Sequence, residues 1–217
     1  MNGQDDSRAS PKGYHSSSAR CRGCFVLAAT SCILLLAATP GVGASGRLVC
    51  VDDQALFLVT GATRQLVKKL EPGTRFQGFG LVDTNEAFLA YSTPGAEAGA
   101  VLAVWDAQTG TEYPIYELGG TGASEFRLNC RTKWVVFRWY DGIYVFSLAN
   151  TMSELRSGTF DHRRFKGRIH RVVACQACDD PRWAGPNRIT YSVWDGSRWK
   201  DQGVDFSPDD LQHGSPK

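Results

Sequence analysis

The stretch VLAVWDAQTGTEYPIYEL, Val101 to Leu118, decides the fold class. Val101, Ala103 and Trp105 fall on one side of an extended chain and Leu102 and Val104 on the other; Asp106 to Gly110 interrupts the run, and alternation resumes from Glu112 to Glu117. That is the pattern of a β-hairpin, and Gly110 lets the chain reverse because it takes φ > 0 without a steric penalty. The same construction precedes it as ALFLVTGATRQLVKKL (Ala55 to Leu70) and follows it as GIYVFSLANTMSELR (Gly142 to Arg156), so one hairpin unit is repeated. Apolar residues on both faces of such a hairpin require cover on both sides. Full burial of one large apolar side chain stabilises by roughly 1.5 to 3 kcal/mol, which drives neighbouring sheets to stack.

Outward from this stretch the chain reads as short strands separated by turn signals, with no long helical tract. The expected strands are Leu48 to Val51, Ala55 to Val59, Gln65 to Leu70, Gly78 to Val82, Ala87 to Ser92, Val101 to Trp105 and Glu112 to Glu117. The second half adds Glu125 to Asn129, Trp134 to Arg138, Gly142 to Phe146, Met152 to Arg156, His170 to Ala174, Arg188 to Val193 and a weak strand near Trp199. A second half-unit alternates with the hairpin: a strand, a polar turn and an apolar strand, at Phe79 to Thr93, Phe126 to Tyr140 and Pro181 to Trp194. Superposing FLAYS, VVFRW and ITYSV gives steps of 47 and 54 residues, slightly beyond the roughly 40 to 50 of a propeller blade. Thr93 to Gly99 and the polar, basic Ser157 to Arg168 are read as the loops that take up the excess.

The half-unit Asn85 to Ser92, followed by Val101 to Asp106 and Thr109-Gly110, resembles the TolB-like and WD-repeat-like β-propeller repeat. In that repeat a turn of the SPDG kind leads into an apolar strand ending in a Tyr-Ser-like pair, and a later strand ends in Asp, then Thr-Gly. VDTNE (Val82 to Glu86), NCRTK (Asn129 to Lys133) and AGPN (Ala184 to Asn187) stand where SPDG would. The resemblance spans Ala55 to Asp205 and implies an all-β, propeller-like array of antiparallel four-stranded blades, about 3.5 to 4 of them. A small closed ring, an open array and a fragment completed by another subunit all remain open, with an unrelated β-sandwich as the other architecture.

Residues 1–22 are polar and without apolar period; Arg20 and Arg22 then precede the apolar run Cys24 to Thr39, followed by Pro40 and the small residues Val42-Gly43-Ala44. Basic, apolar, small is the order of a secretory signal peptide, with cleavage expected after Ala44 or, failing cleavage, retention as an N-terminal anchor. The four basic and two acidic residues of 1–44 leave 20 of each sign behind. A chain of zero net formal charge has no global field to draw it to nucleic acid. The expected organisation is a leader over 1–44, a β domain over 45–206 and a disordered tail over 207–217.

Cys50, Cys130, Cys175 and Cys178 follow the leader, an even number that suggests two disulfides in any of three connectivities. Cys175-Gln-Ala-Cys178 would be a thioredoxin-like redox site only at the start of a helix, and Asp179-Asp180-Pro181 follows it instead. One CxxC lacks the second close pair usual at a zinc site, although Cys50 and Cys130 or His170 could complete one. A basic cluster, His162, Arg163, Arg164, Lys166, Arg168, His170 and Arg171, is a candidate contact for an anionic partner, with Phe165 as its apolar anchor; a solvated loop is the plainer reading. Trp134, Phe137, Trp139, Tyr140, Tyr144 and Phe146 are read as core rather than as a sugar-stacking surface, with Tyr140-Asp141-Gly142 a tight turn.

No GxSxG, no HExxH and no phosphate-binding glycine loop is present, so no catalytic, cofactor-binding or metal residue is assigned. The resemblance implies a noncatalytic binding or scaffolding module, periplasmic or secreted, that recognises a protein or peptide of the cell envelope through loops on a rigid array. The competing class is an enzyme, a hydrolase or a quinoprotein-like propeller, because Val104 to Gly110 also resembles the quinoprotein repeat; a truncated repeat protein without independent activity is the third reading.

Overall fold

Four antiparallel sheets follow one another along the chain, each built from consecutive strands with no crossover. The structure is a computed structural model and describes residues 46–92, 99–120 and 122–212. The first sheet holds β1 (Arg47–Val51), β2 (Ala55–Thr60) and β3 (Thr63–Lys69). The second holds β4 (Phe76–Leu81), β5 (Glu86–Ser92), β6 (Ala100–Asp106) and β7 (Thr111–Leu118). The third holds β8 (Ser124–Asn129), β9 (Trp134–Trp139), β10 (Gly142–Ser147) and β11 (His170–Ala174). The fourth holds β12 (Cys178–Trp183), β13 (Arg188–Trp194) and β14 (Trp199–Asp205). Two sheets therefore have four strands and two have three, where four-stranded blades throughout were expected. The expected leader and the residues 93–98 of the expected loop lie outside the described residues.

The β6–β7 hairpin forms as its alternation predicts. Asp106 sits opposite Thr111, Gly110 has φ 68°, and the Gly110 N–H donates to the Asp106 carbonyl at 2.8 Å. One register shift falls where Ala103 meets Pro114 and Leu102 meets Tyr116; proline has no N–H to give the ladder and is tolerated in a strand at such a bulge. The two faces of β6 go to different cores. Leu102 and Val104 pack with Phe88, Phe126 and Phe137 in the second core, between the second and third sheets, while Ala103 and Trp105 pack with Leu56, Leu58 and Leu89 in the first core, between the first and second sheets. A third core, with Val136, Ile143, Val145, Ile189 and Tyr191, joins the third sheet to the fourth.

The segment Gly142 to Arg156 departs from the expected hairpin. Its first arm is β10, but Thr151–Ser157 is the helix α1 rather than a strand. Met152 and Leu155 lie three apart, the spacing of one helical face, and both belong to the second core; Gly158 at φ 70° closes the helix. The partner of β10 is instead β11, reached through α2 (His162–Phe165) and a 3-10 turn at Lys166–Arg168. The Ser157 to Arg168 segment is thus largely helical. Cys178–Trp183, whose first residues the sequence left in a loop, is strand β12. Within the segment read as a tail, Pro208–Gln212 forms α3 and Leu211 packs on the third core.

At one rim the first strands of successive sheets come together, β8 lying between β4 and β12. Glycine makes the β4 side possible: a Cβ on Gly78 would lie 2.1 Å from the Phe126 carbonyl oxygen, and one on Gly80 3.0 Å from the Leu128 side chain.

Candidate binding surface

The basic cluster is divided by the fold. Arg163, Arg164 and Lys166 project from a helical knuckle, all exposed. Asp161 caps this knuckle, its side chain accepting from the backbone N–H groups of Arg163 and Arg164, and pairs with the Arg164 guanidinium at 3.2 Å. Among the described residues neither the Arg163 guanidinium nor the Lys166 ammonium has an ion-pair partner. Arg168 turns inward: it pairs with Glu154 of α1 at 2.9 Å and lies over the Phe160 ring. Arg171, on β11, pairs with Asp141. His162 meets the Ile115 carbonyl through Nδ1 at 3.3 Å, and burial lowers the pKa of His170.

Phe165 is not the exposed anchor that the sequence suggested. It is fully buried, with Phe146, Tyr116 and Phe160 ring centroids at 5.5, 5.6 and 5.9 Å. Four helix residues and a 3-10 turn cannot hold themselves rigid in water; this one ring fastens the knuckle to the second core, so the exposed charges sit on a fixed base. Beside it opens a recess of about 290 Å³ lined by Trp134, Ser147, Asn150, Arg168, His170 and Leu211.

Helix α1 is clamped from the other direction. Arg156 reaches the fully buried Asp106 at 2.9 Å and Glu86 at 3.5 Å. Burial by itself raises the pKa of Asp106; the Gln108 N–H and the Arg156 guanidinium more than offset it and keep the carboxylate below its ordinary range. The Asp that ends the repeated strand is therefore a structural fastener, a role invisible in the sequence because its partner lies 50 positions away.

Cys50 is on β1 and packs on the first core; Cys130 is exposed after β8. Cys175 and Cys178 are neighbours across the β11–β12 turn, the Cys178 thiol donating to the Cys175 carbonyl at 3.1 Å. Burial, then the adjacent Cys175, pushes the Cys178 thiol up to about 12, the opposite of an activated thiolate. Among the described residues no group of three or more His, Cys, Asp or Glu is arranged to hold a metal ion.

A charged junction where β8 meets β12 left no signal in the local sequence pattern. The Glu125 carboxylate accepts from the Asp180 N–H at 2.7 Å, Asp180 pairs with Arg127 at 3.0 Å and with Arg182, and Trp183 Nε1 donates to the Arg127 carbonyl at 2.8 Å. Both strands bulge here, between Ser124 and Arg127 and between Asp179 and Arg182, and Glu125 and Asp180 have φ of 59° and 52°. Burial first, then the negative charge of Asp179, pushes the Glu125 carboxyl up to about 7 against the contrary pull of the Asp180 N–H. Of the aromatic residues singled out, Trp134, Phe137 and Phe146 are buried and Trp139 and Tyr144 pack on the core. Tyr140, in the expected turn at φ 37°, is 54% exposed and its hydroxyl donates to the Gly119 carbonyl at 3.2 Å.

No family model matches the chain, and no curated protein matches it in sequence. Solved structures do. Oligogalacturonate lyase in complex with manganese matches with a TM-score of 0.50 at 12% identity, over 77% of this chain and 48% of that one. The tricorn protease matches with 0.49 at 8%, over 69% and 18%, and TolB from Acinetobacter baumannii with 0.45 at 14%, over 72% and 37%. The chain spans less than half the length of each of these propellers. Its four stacked antiparallel sheets are similar in fold to the β-propeller of oligogalacturonate lyase.

Proposed function

We propose that this protein is an exported, noncatalytic binding module that recognises an acidic protein or peptide of the cell envelope through the knuckle at Arg163, Arg164 and Lys166. The observation that carries this reading is the exposure of three cations on one short element whose fourth side chain, Phe165, is fully buried. Charges on a fixed base lose little freedom when a partner neutralises them, which favours recognition over a freely moving loop. The periplasm or the exterior is the compartment we infer, from the order of basic, apolar and small residues over Arg20 to Ala44.

The experiment is capture from envelope extract with the native chain and with the triple variant Arg163→Ser, Arg164→Ser, Lys166→Ser. A partner retained by the native chain should be lost from the variant and released by salt, as a charge-driven contact requires. Equal capture by both chains overturns this reading.

A further inference from the structure

The chain passes from the third sheet to the fourth through one short turn, and a cysteine stands at each end of it. Cys175 follows β11, Gln176 and Ala177 form the turn, and Cys178 opens β12. Both flanks are tied down: the Cys175 N–H donates to the Asp141 carbonyl of the β9–β10 turn at 2.7 Å, and the Ala177 carbonyl accepts from the Trp194 N–H of β13 at 2.9 Å. A tight turn holds the Cα atoms of its first and fourth residues within about 7 Å, the span that a disulfide bridges.

The side chains meet as well. The Cys178 thiol already reaches the Cys175 carbonyl at 3.1 Å, and after burial the Cys175 side chain is the next influence on its pKa. Tyr191 of β13 faces both, its phenol pKa raised by burial first and then by Cys175 and Cys178. Both cysteines pack in the third core but differ in access: Cys178 is 2% exposed and Cys175 half-buried. The other two cysteines stand elsewhere. Cys50 packs on the first core, and Cys130 is in the β8–β9 turn, at the opposite end of β9 from the Asp141 carbonyl that holds Cys175.

We propose that Cys175 and Cys178 are a reversible dithiol–disulfide site, closed by exchange with a small disulfide, that locks the turn between the third sheet and the fourth. The more accessible sulfur begins. The Cys175 thiolate displaces one sulfur of oxidised glutathione, releasing one glutathione thiolate and leaving a mixed disulfide; the Cys178 thiolate then attacks the Cys175 Sγ and releases the second glutathione. Two electrons pass to glutathione, and the two thiol protons reach the released thiolates through solvent. The Cys178 thiol, pushed up to about 12 by burial first and then by Cys175, suits the second step alone, in which its target is held beside it. A loop of four residues removes little freedom from the unfolded chain when it closes, so the bond stays open to attack by small thiols. The proposal concerns this turn and stands independently of the knuckle.

A redox titration of the full chain in glutathione buffers tests it, with acid quenching, alkylation, trypsin digestion and mass spectrometry. No Lys or Arg lies between Arg171 and Arg182, so both cysteines fall in one peptide, Val172 to Arg182. In excess oxidised glutathione that peptide should be two hydrogens lighter and take no alkyl group; in excess reduced glutathione it should take two. Cys178→Ser should accumulate glutathione on Cys175, whereas Cys175→Ser should take none on Cys178 while folded. The double variant Cys50→Ser, Cys130→Ser keeps the pair native and should close the same bond, which guards against misfolding of the first two. Two free thiols at every glutathione ratio, a bond from either cysteine to Cys50 or Cys130, glutathione on Cys178 in place of Cys175, or a bond that excess reduced glutathione leaves intact each overturns the proposal.

Discussion

Strand β8 meets its two neighbours at the rim by opposite means. Toward β4 the approach is dry and close: Gly78 and Gly80 remove two side chains so that the Phe126 backbone and Leu128 fit against the sheet, and Phe126 stacks on Phe137 at 4.8 Å between centroids with the two rings nearly parallel. Toward β12 it is polar and bulged, held by Glu125, Arg127, Asp180 and Trp183. A seam closed by shape resists charge and salt but tolerates no change of volume. A seam closed by charges in partial contact with water tolerates volume but answers to pH and ionic strength.

The dry side should show the larger losses. Phe137→Ala removes a fully buried ring in contact with Phe126, Trp139, Tyr144 and Phe146. Truncations of this kind cost about 3 to 5 kcal/mol, so the urea midpoint should fall steeply at every pH and salt concentration. Gly78→Ala comes next. Its new Cβ would meet the Phe126 carbonyl oxygen and carbon, which are backbone, so β4 and β8 must part; about 1 to 3 kcal/mol is the usual consequence of such overpacking. An alanine variant as stable as the native chain would show that the seam is looser than this geometry states.

The dry seam was legible in the sequence in outline, and the wet one was not. Alternation along Val101 to Trp105 assigned its two faces correctly because period 2 is a local property, and the cores on either side of β6 follow from it. The hairpin turns were equally local, as Gly110 shows. Met152 to Arg156 misled because a five-residue apolar and polar mixture fits both periods, and the choice of helix rests on burial of Met152 against strands far off in sequence. The β12 junction rests on two bulges and on pairs such as Arg127 with Asp180, 53 residues apart, which no local pattern encodes. Phe165 looked exposed for the same reason: a lone aromatic among arginines gives no hint of the Phe146 and Tyr116 rings that receive it.

The smallest effect separates the two seams most cleanly. Burial, then the charge of Asp179, pushes the Glu125 carboxyl from an ordinary value of 4.5 up to about 7. A carboxyl whose folded pKa is raised favours the folded state fully below its unfolded pKa, and that contribution is lost as pH rises from about 4.5 through 7. With its partly solvated surroundings discounted, the loss is on the order of 1 kcal/mol. Glutamine keeps an oxygen to accept the Asp180 N–H and removes the charge that repels Asp179 and Asp180. Glu125→Gln should therefore flatten the decline of unfolding free energy between pH 5 and 8 and stand at or above the native chain at pH 8, while Phe137→Ala lowers the whole curve without altering its slope. Urea titrations of the three chains at both pH values measure this directly. An identical slope in the native chain and Glu125→Gln would mean that the carboxyl is ionised throughout, held by the Asp180 N–H and Arg182, and that the β12 side of the rim is no more sensitive to pH than the β4 side.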